Sequence, residues 1–550
     1  MKWFIATMLA TLVAAATAVG SLAQGNKQAK NGGVFRLGTS STIDSLNPFV
    51  AINQEAYNTF TYIYPTLILY DRANRDFVPD FASSWKMSKD GKTWTFKTRA
   101  NAKWSDGQPL TAADAAWTIN TAVKYQSTGA ANEAGVIAHI TSASAPNPTT
   151  LVIHYERPVS NVLSQLEQLP ILPQHVWSKY TGHKGADLKT FANGAPVVSG
   201  GAFVLTKYTK SEIALFQRND SFYGPKPKVD GFGLQMFAND DALVTALKNH
   251  EIDSVDAAPM TALKTLKSAG FKVNVLPGGQ QNDLIVNTNP KKPKHRELLN
   301  PKVREAFAHA VDRKRMVNVV LLGYGAPAST IVAPITRAGG VEWHNPNLKP
   351  EKFDLALANK MLDSLGYKKG SDGIRVANGQ RMSYNVITPT DMQSADRTFQ
   401  IMQPDFRKIG VELKQRALDS STAFAEISAP NNKYLNFDLA IWDWVALADP
   451  DFMLSVVTCA QFGNWSDSGY CNKKYDALYS KQQLTTNQKA RQKIVWQMQK
   501  ILYDARPYIW LYQLDQVDAT SPKWTGLVDS FMGPFNQFNR LSMTEVHQVG

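Results

Sequence analysis

Two cysteines, Cys459 and Cys471, are the only thiols in the chain, and both fall in "TCAQFGNWSDSGYC". A thiol pair at this spacing can hold a metal, supply a nucleophile, or close a loop. A nearby histidine would support either of the first two uses, and the stretch has none. In an oxidising compartment the simplest outcome is a local disulfide. Closing so short a loop contributes roughly 3 kcal/mol in the chain-entropy model. The nine histidines are scattered from His139 to His547. No two of them stand four residues apart, so no helix face offers a metal pair. The stretch "GSDGIRVANGQ" has an Asp-Gly but too few acidic residues for a calcium loop. There is no G-x-S-x-G elbow, no H-E-x-x-H and no Walker lysine loop. No metal and no cofactor is expected, and an enzyme is not. Paired carboxylates for glycoside hydrolysis need not be neighbours in sequence, so a secreted hydrolase stays as a minor alternative.

The start of the chain, "MKWFIATMLATLVAAATAVGSLAQ", has one positive charge at Lys2 and an apolar run from Trp3 to Val19. Ser21-Leu22-Ala23 offers small residues where a signal peptidase needs them. This predicts a cleavable signal peptide over residues 1–23 and a periplasmic or extracellular protein. The alternative is a membrane anchor. Thr7, Thr11 and Thr17 interrupt the run, and no basic stop-transfer cluster follows. No cysteine follows the small residues, so a lipoprotein is not expected. No other apolar stretch reaches bilayer length.

Removing the signal leaves 527 of 550 residues, too many for one ordinary core, which predicts two or three domains. Hydrophobic content of 44% and charged content of 19% are those of a globular protein. The formal charge of +13 raises the question of nucleic acid. The densest basic segment, Lys291 to Arg315, falls largely on an amphipathic helix. That reads as solvated surface charge, so no nucleic-acid partner is expected.

The elements that would position any site are well punctuated. "SWKMSKDGKTWTF" alternates Trp85 and Met87 with polar residues, then Trp94 and Phe96, on either side of Asp90-Gly91. This predicts a β-hairpin with a tight turn. Ala56 to Tyr70 is apolar and aromatic and reads as a helix. Thr111, with Asp114 three residues on, caps a helix through Trp117 and Val123. "SGGAFVLTKY", "SEIALFQRN" and "GFGLQMF" read as successive strands, and "QNDLIVNTN" as a further apolar strand. Asn300-Pro301 opens a helix, and Asp354 opens another that Gly366 ends. "RMSYNVITP", "VELKQRAL" and "FDLAIWDW" supply strands separated by helices, which argues for a mainly parallel sheet in this half.

Several of these segments together resemble one family. Phe77 to Asn120 is similar to the signature region of the family 5 bacterial extracellular solute-binding proteins, the peptide- and nickel-binding components of ABC importers. "LPILPQHVW", "NDSFYGPKPKVD", "HEIDSV", "IGVELK", "ADPDFML", "GYCNKKYDALY" and "RPYIWLY" match in order. Thr98 departs from the family's usual apolar residue. The resemblance implies an α/β, two-lobed, periplasmic-binding-protein-like fold (type II, cluster C) with an extra domain inserted in the first lobe. Lobe I would comprise 24–72, 190–288 and 515–550, the extra domain 73–189, and lobe II 289–514. The implied function is capture of a peptide in an interlobe cleft and delivery to an ABC permease, by a monomer. The alternative is another solute, an oligosaccharide or a metal chelate, bound by the same closing cleft.

The resemblance also places the site. "FDLAIWDWVALADPDF" would touch ligand through Trp442, Asp443, Trp444 and Asp449. The family's peptide binders carry an acidic residue for the peptide amine where this chain has Ala446. Asp443 or Asp449 then stands in for it, or the ligand lacks an ammonium group. The two tryptophans equally suit sugar rings. The structural alternative keeps both in the core and gives Asp449 to the next helix as a cap. Ser40 and Ser41, after the first strand, are candidates for polar contacts.

Overall fold

A computed structural model describes residues 32–549, apart from 72–73, 256, 391, 429–436, 463–464 and 530–537. The expected signal peptide lies outside the described residues. The described chain forms two compact units. Of the described residues, the first takes those between 32 and 276 and those after Asp515, and the second takes those within Pro277–Asp515. The chain leaves the first unit within the strand Lys272–Val286 and re-enters it within Tyr508–Thr520. Among the described residues no helix is long and apolar enough to cross a membrane.

In the first unit, Val34–Thr39 pairs in parallel with Gly231–Met236 on one side and Ser254–Val255 on the other. Ile213–Arg218 and Phe203–Thr209 extend this sheet antiparallel. The helix Asp240–Lys248 contributes the buried Leu243 that comes close to Gly38. A Cβ on Gly38 would meet Ile252 at 2.4 Å and Leu243 at 2.6 Å, so this strand position accepts glycine and little else. Phe216 and Phe232 stack at 4.3 Å, and Tyr62 meets Phe232 edge-on at 5.0 Å, filling the core.

A separate four-stranded antiparallel sheet follows in the same unit, built from Ala82–Met87, Thr93–Thr98, Thr150–Tyr155 and Ile140–Asn147. Its first two strands are the hairpin expected from the sequence, with Trp85 opposite Phe96 and Met87 opposite Trp94. The connection is longer than a two-residue turn. Ser88 N–H reaches the Thr93 carbonyl at 2.8 Å, Asp90 accepts from the Ser88 hydroxyl and the Lys92 N–H, and Gly91 takes φ +70°. Thr111 and Asp114 form the full capping box of Ala112–Tyr125. The single helix expected over Ala56–Tyr70 is corrected. The helix is Gln54–Ile63, and Ile68–Asp71 is a strand. Pro65 lies between them. It cannot donate to a helix ladder, and it biases the residue before it toward extended backbone.

The second unit has a parallel centre. Ser383–Pro389 runs parallel to both Glu412–Leu418 and Leu439–Val445. The long strand Lys272–Val286 then pairs antiparallel with Leu439–Val445. The β/α alternation predicts the parallel part; the strand that enters the unit adds an antiparallel neighbour between Leu439–Val445 and Tyr508–Thr520. Asn300 and Asp354 cap their helices as their spacing predicts. The core on one side of the sheet gathers Ile285, Ile387, Ala440, Trp444 and Trp510.

Candidate functional site

In open α/β sheets, ligand groups collect at the carboxyl ends of parallel strands, where side chains and helix N-termini converge. Each unit presents candidate residues there. In the first, Ser40 and Ser41 are exposed and directly follow Val34–Thr39. The Ser41 N–H bonds the Thr39 hydroxyl at 3.0 Å, which turns the chain away from the sheet. In the second, Trp442, Asp443 and Trp444 occupy the end of Leu439–Val445.

The antiparallel register fixes what each of these three faces. Trp442 lies opposite Asp283, Asp443 opposite Asn282, and Trp444 opposite Gln281. Directly opposed residues share a sheet face and successive ones alternate. Trp442, Trp444, Gln281 and Asp283 therefore share one face. Asp443, Asn282 and Gln280 share the other, where Gln280 donates its amide N–H to Asp443. On that side the Asn282 amide meets Met392 Sδ at 3.3 Å, just before the helix Gln393–Lys408.

Trp444 is buried in the core, as the structural alternative has it, while Trp442 is half-buried. The two begin and end an arc of rings. Trp442 neighbours Phe424 at 6.2 Å, Phe424 neighbours Trp465 at 6.0 Å, Trp465 neighbours Phe452 at 5.6 Å, and Phe452 neighbours Trp444 at 6.3 Å. Trp465 is 41% exposed, unusual for so large an apolar surface.

Asp449 is committed elsewhere. Arg491 grips it with two hydrogen bonds of 2.5 and 2.6 Å, and both residues are buried. Asp449 also accepts the Asp451 N–H at 2.9 Å, ahead of the helix Asp451–Ser455. Arg491 continues to Gln482 at 2.8 Å and lies over the Trp343 ring at 4.8 Å. Ala446 is buried too, its N–H on the Gly279 carbonyl at 2.9 Å.

Sequence reasoning missed the polar run Gln280-Gln281-Asn282-Asp283, because it adjoins the apolar Leu284-Ile285-Val286 of the same strand. The available signal was four consecutive polar side chains inside a strand. It also missed Asp467 and Tyr508. Asp467 is fully buried and accepts a hydrogen bond from the Tyr508 phenol. Burial pushes its carboxyl up to about 7. Burial, then the charges of Asp467 and Asp443, push the Asp283 carboxyl well above the usual carboxylate range.

Cys459 and Cys471 are joined in a disulfide with Cα atoms 4.5 Å apart. The Cys459 N–H is also held by Asp476 at 3.0 Å. Replacing both cysteines by alanine is expected to cost roughly 3 kcal/mol through loop entropy. Urea unfolding of the double variant against the parent, read by tryptophan fluorescence, checks this. Among the described residues no group of three His, Cys, Asp or Glu side chains could hold a metal ion.

Comparison with known proteins bears on the family and the fold. The profile of the bacterial extracellular solute-binding proteins, family 5, matches residues 76–464. A Deinococcus radiodurans protein named as a probable ABC transporter-binding protein is 26% identical, over 93% of this chain and 91% of its own. Two solved structures share the fold. NikZ of Campylobacter jejuni, in complex with Ni(L-His), has a TM-score of 0.76 at 23% identity over 94% of this chain and 99% of its own. DppA of Helicobacter pylori, in complex with the peptide STSA, has a TM-score of 0.73 at 20% identity over 94% and 99%. These likenesses establish a mixed α/β fold of the two-lobed periplasmic-binding-protein class. The chain belongs to the bacterial extracellular solute-binding proteins, family 5.

Proposed function

We propose that the protein captures a peptide and presents it to an ABC permease for import. Family membership by itself implies a periplasmic or extracellular location and delivery of a peptide or other small solute to such permeases. The observation that carries the peptide reading is the carboxyl end of Leu439–Val445. There a half-buried tryptophan shares its sheet face with Asp283 and Gln281, so that an apolar surface and polar groups stand side by side. A peptide needs both: side chains against rings, and backbone groups against polar atoms. Trp442 and Asp443 would make the contacts. Ser40 and Ser41, exposed after the first strand, would be further candidates for polar contacts. Asp449 and Trp444 would hold the framework, and Ala446 would pack without touching charge.

Binding proceeds without bond chemistry in this reading, and a ligand shifts the protein toward the arrangement it binds best, by no more than its differential affinity. The finer expectations belong to the same proposal: a signal peptide cleaved after Ala23, no lipid anchor, a monomer, and residues 73–189 as an inserted domain. The separate four-stranded sheet supports the last of these.

The test is a thermal-shift panel of short peptides, oligosaccharides and Ni(L-His), since a ligand favouring the native state raises Tm. A shift with peptides alone is the expected result; a shift with only sugars or only the chelate overturns the peptide. The sugar reading keeps its place because the half-exposed face of Trp442 suits a pyranose as well. Under either reading Trp442→Ala is expected to weaken ligand binding about 30-fold, the scale of a buried aromatic anchor. Its effect on Tm should be small, since the ring is half in solvent. Calorimetry and melting of the same sample check both halves.

A further inference from the structure

The second unit holds a buried carboxyl group that no described residue neutralises. Asp283 is 0% exposed, and neither of its oxygens has a hydrogen-bond partner among the described residues. Its charged neighbours are acids, Asp467 and Asp443, with the Tyr508 phenol beside Asp467. Other buried polar atoms nearby are in the same condition: Gln281 Oε1, Trp444 Nε1 and Asp467 Oδ2. Native proteins rarely tolerate this, because each such group loses its water and gains no replacement.

The surroundings indicate what would satisfy it. Asp283 shares a sheet face with Trp442 and Trp444, the two ends of the aromatic arc that runs through Phe424, Trp465 and Phe452. Ring faces carry negative potential, as does a carboxylate, and the two together suit a cation with an apolar stem. The other acids of the segment are placed differently, Asp449 in the grip of Arg491 and Asp443 on the opposite face of the sheet beside Gln280. An anion would leave Asp283 uncompensated, and a neutral sugar would give its oxygens hydrogen bonds but no countercharge.

From this juxtaposition, we infer that Asp283 is the seat of an organic ammonium group on the ligand, with the aromatic arc as its wall. The inference rests on the solute-binding reading and narrows it to amine-bearing solutes. The amine has two possible sources in a peptide, its N-terminus or a lysine side chain. Because burial and the neighbouring acids raise the pKa of this carboxyl and a cation beside it lowers it again, loading the seat favours release of a proton to solvent. Affinity then rises with pH, and Asp467, Asp443 and Tyr508 are the titratable groups that share in the effect.

Calorimetry of the full mature chain tests this with four probes: tetra-alanine, N-acetyl tetra-alanine, N-acetyl-Ala-Lys-Ala-Ala and 1,4-diaminobutane. The expected result is binding of an amine-bearing probe at least about tenfold tighter than of the capped alanine peptide, with a proton released, as read in buffers of different ionisation enthalpy. Preference for the free N-terminus or for the lysine identifies the source. Asp283→Asn should abolish both the preference and the proton release, while its Tm without ligand holds or rises, because a buried acid has gone. Equal binding of capped and free tetra-alanine with no gain from lysine overturns the ammonium seat and leaves peptide capture intact. So does an Asp283→Asn variant that keeps the preference. Binding of the diamine but of no peptide retains the seat and overturns peptide capture. Failure of all four probes overturns both.

Discussion

Asp449→Ala lowers the stability of the second unit by about 3–5 kcal/mol, the cost of stranding a buried guanidinium. Arg491 is 0% exposed and carries five N–H donors, of which Asp449 takes two in a bidentate pair. Removing the carboxylate leaves the guanidinium with Gln482 and the face of Trp343 in contact and with Asp451 acting on its charge only from a distance, which together do not replace a bidentate anion. The loss should propagate, because Gln482 also donates to Asp451 at 2.5 Å and Asp451 takes the Tyr479 hydroxyl at 3.3 Å. Arg491→Met alone should cost as much, by leaving Asp449 unpaired. The double variant Asp449→Leu with Arg491→Met should recover most of the loss, since apolar groups of similar volume often replace a buried pair at little cost. Urea midpoints of the four proteins give the coupling energy. Additive losses would mean that the two residues do not act as a unit. Asp449→Ala should also leave ligand preference unchanged at temperatures where the variant is folded, which separates a framework role from a contact.

Asp449 shows where a sequence stops being readable. The "ADPD" turn marks an acid before a short helix, and Asp449 accepts the Asp451 N–H there, although the N-cap position itself falls on Pro450. Its dominant partner comes 42 residues later, on the helix Gln488–Ala505, and no local spacing announces it. The features that were legible are those whose partners sit within a few residues. The Thr111–Asp114 box, the Asn300 and Asp354 caps and the Trp85–Phe96 hairpin are of this kind. Cys459 and Cys471 were legible for the same reason.

The site lies between these extremes. Trp442 and Asp443 stand out in the sequence, and strand alternation alone puts them on opposite faces. Their partners do not stand out, because the register of Leu439–Val445 against Lys272–Val286 joins segments about 160 residues apart. Asp283 was hidden a second way. It precedes Leu284-Ile285-Val286, and a periodicity argument assigns the whole run to an apolar strand. The aromatic arc was hidden because its five rings come from four separate segments.

The pH dependence of stability should carry the mark of Asp467. Its carboxyl is pushed up to about 7 by burial, from an ordinary value of 3.8. Between those values the folded protein holds a proton at Asp467 that the unfolded chain has released. Stability therefore falls as pH rises through this window, by up to about 1.4 kcal/mol for each unit of pH. Above the folded value the cost is complete and the curve is level again; below the unfolded value both states are protonated and the cost vanishes. Asp467→Asn removes the titration and keeps an oxygen for the Tyr508 phenol to donate to. Because Asp283 is coupled to Asp467, the comparison belongs in an Asp283→Asn background, where one acid titrates instead of two. Urea unfolding from pH 4 to 8 should give two curves that converge at the acid end and separate by on the order of 4 kcal/mol at the neutral end, with the asparagine protein the more stable. Curves that stay parallel across the window would mean that Asp467 ionises alike in both states, and that solvent or a counter-charge reaches it in the fold.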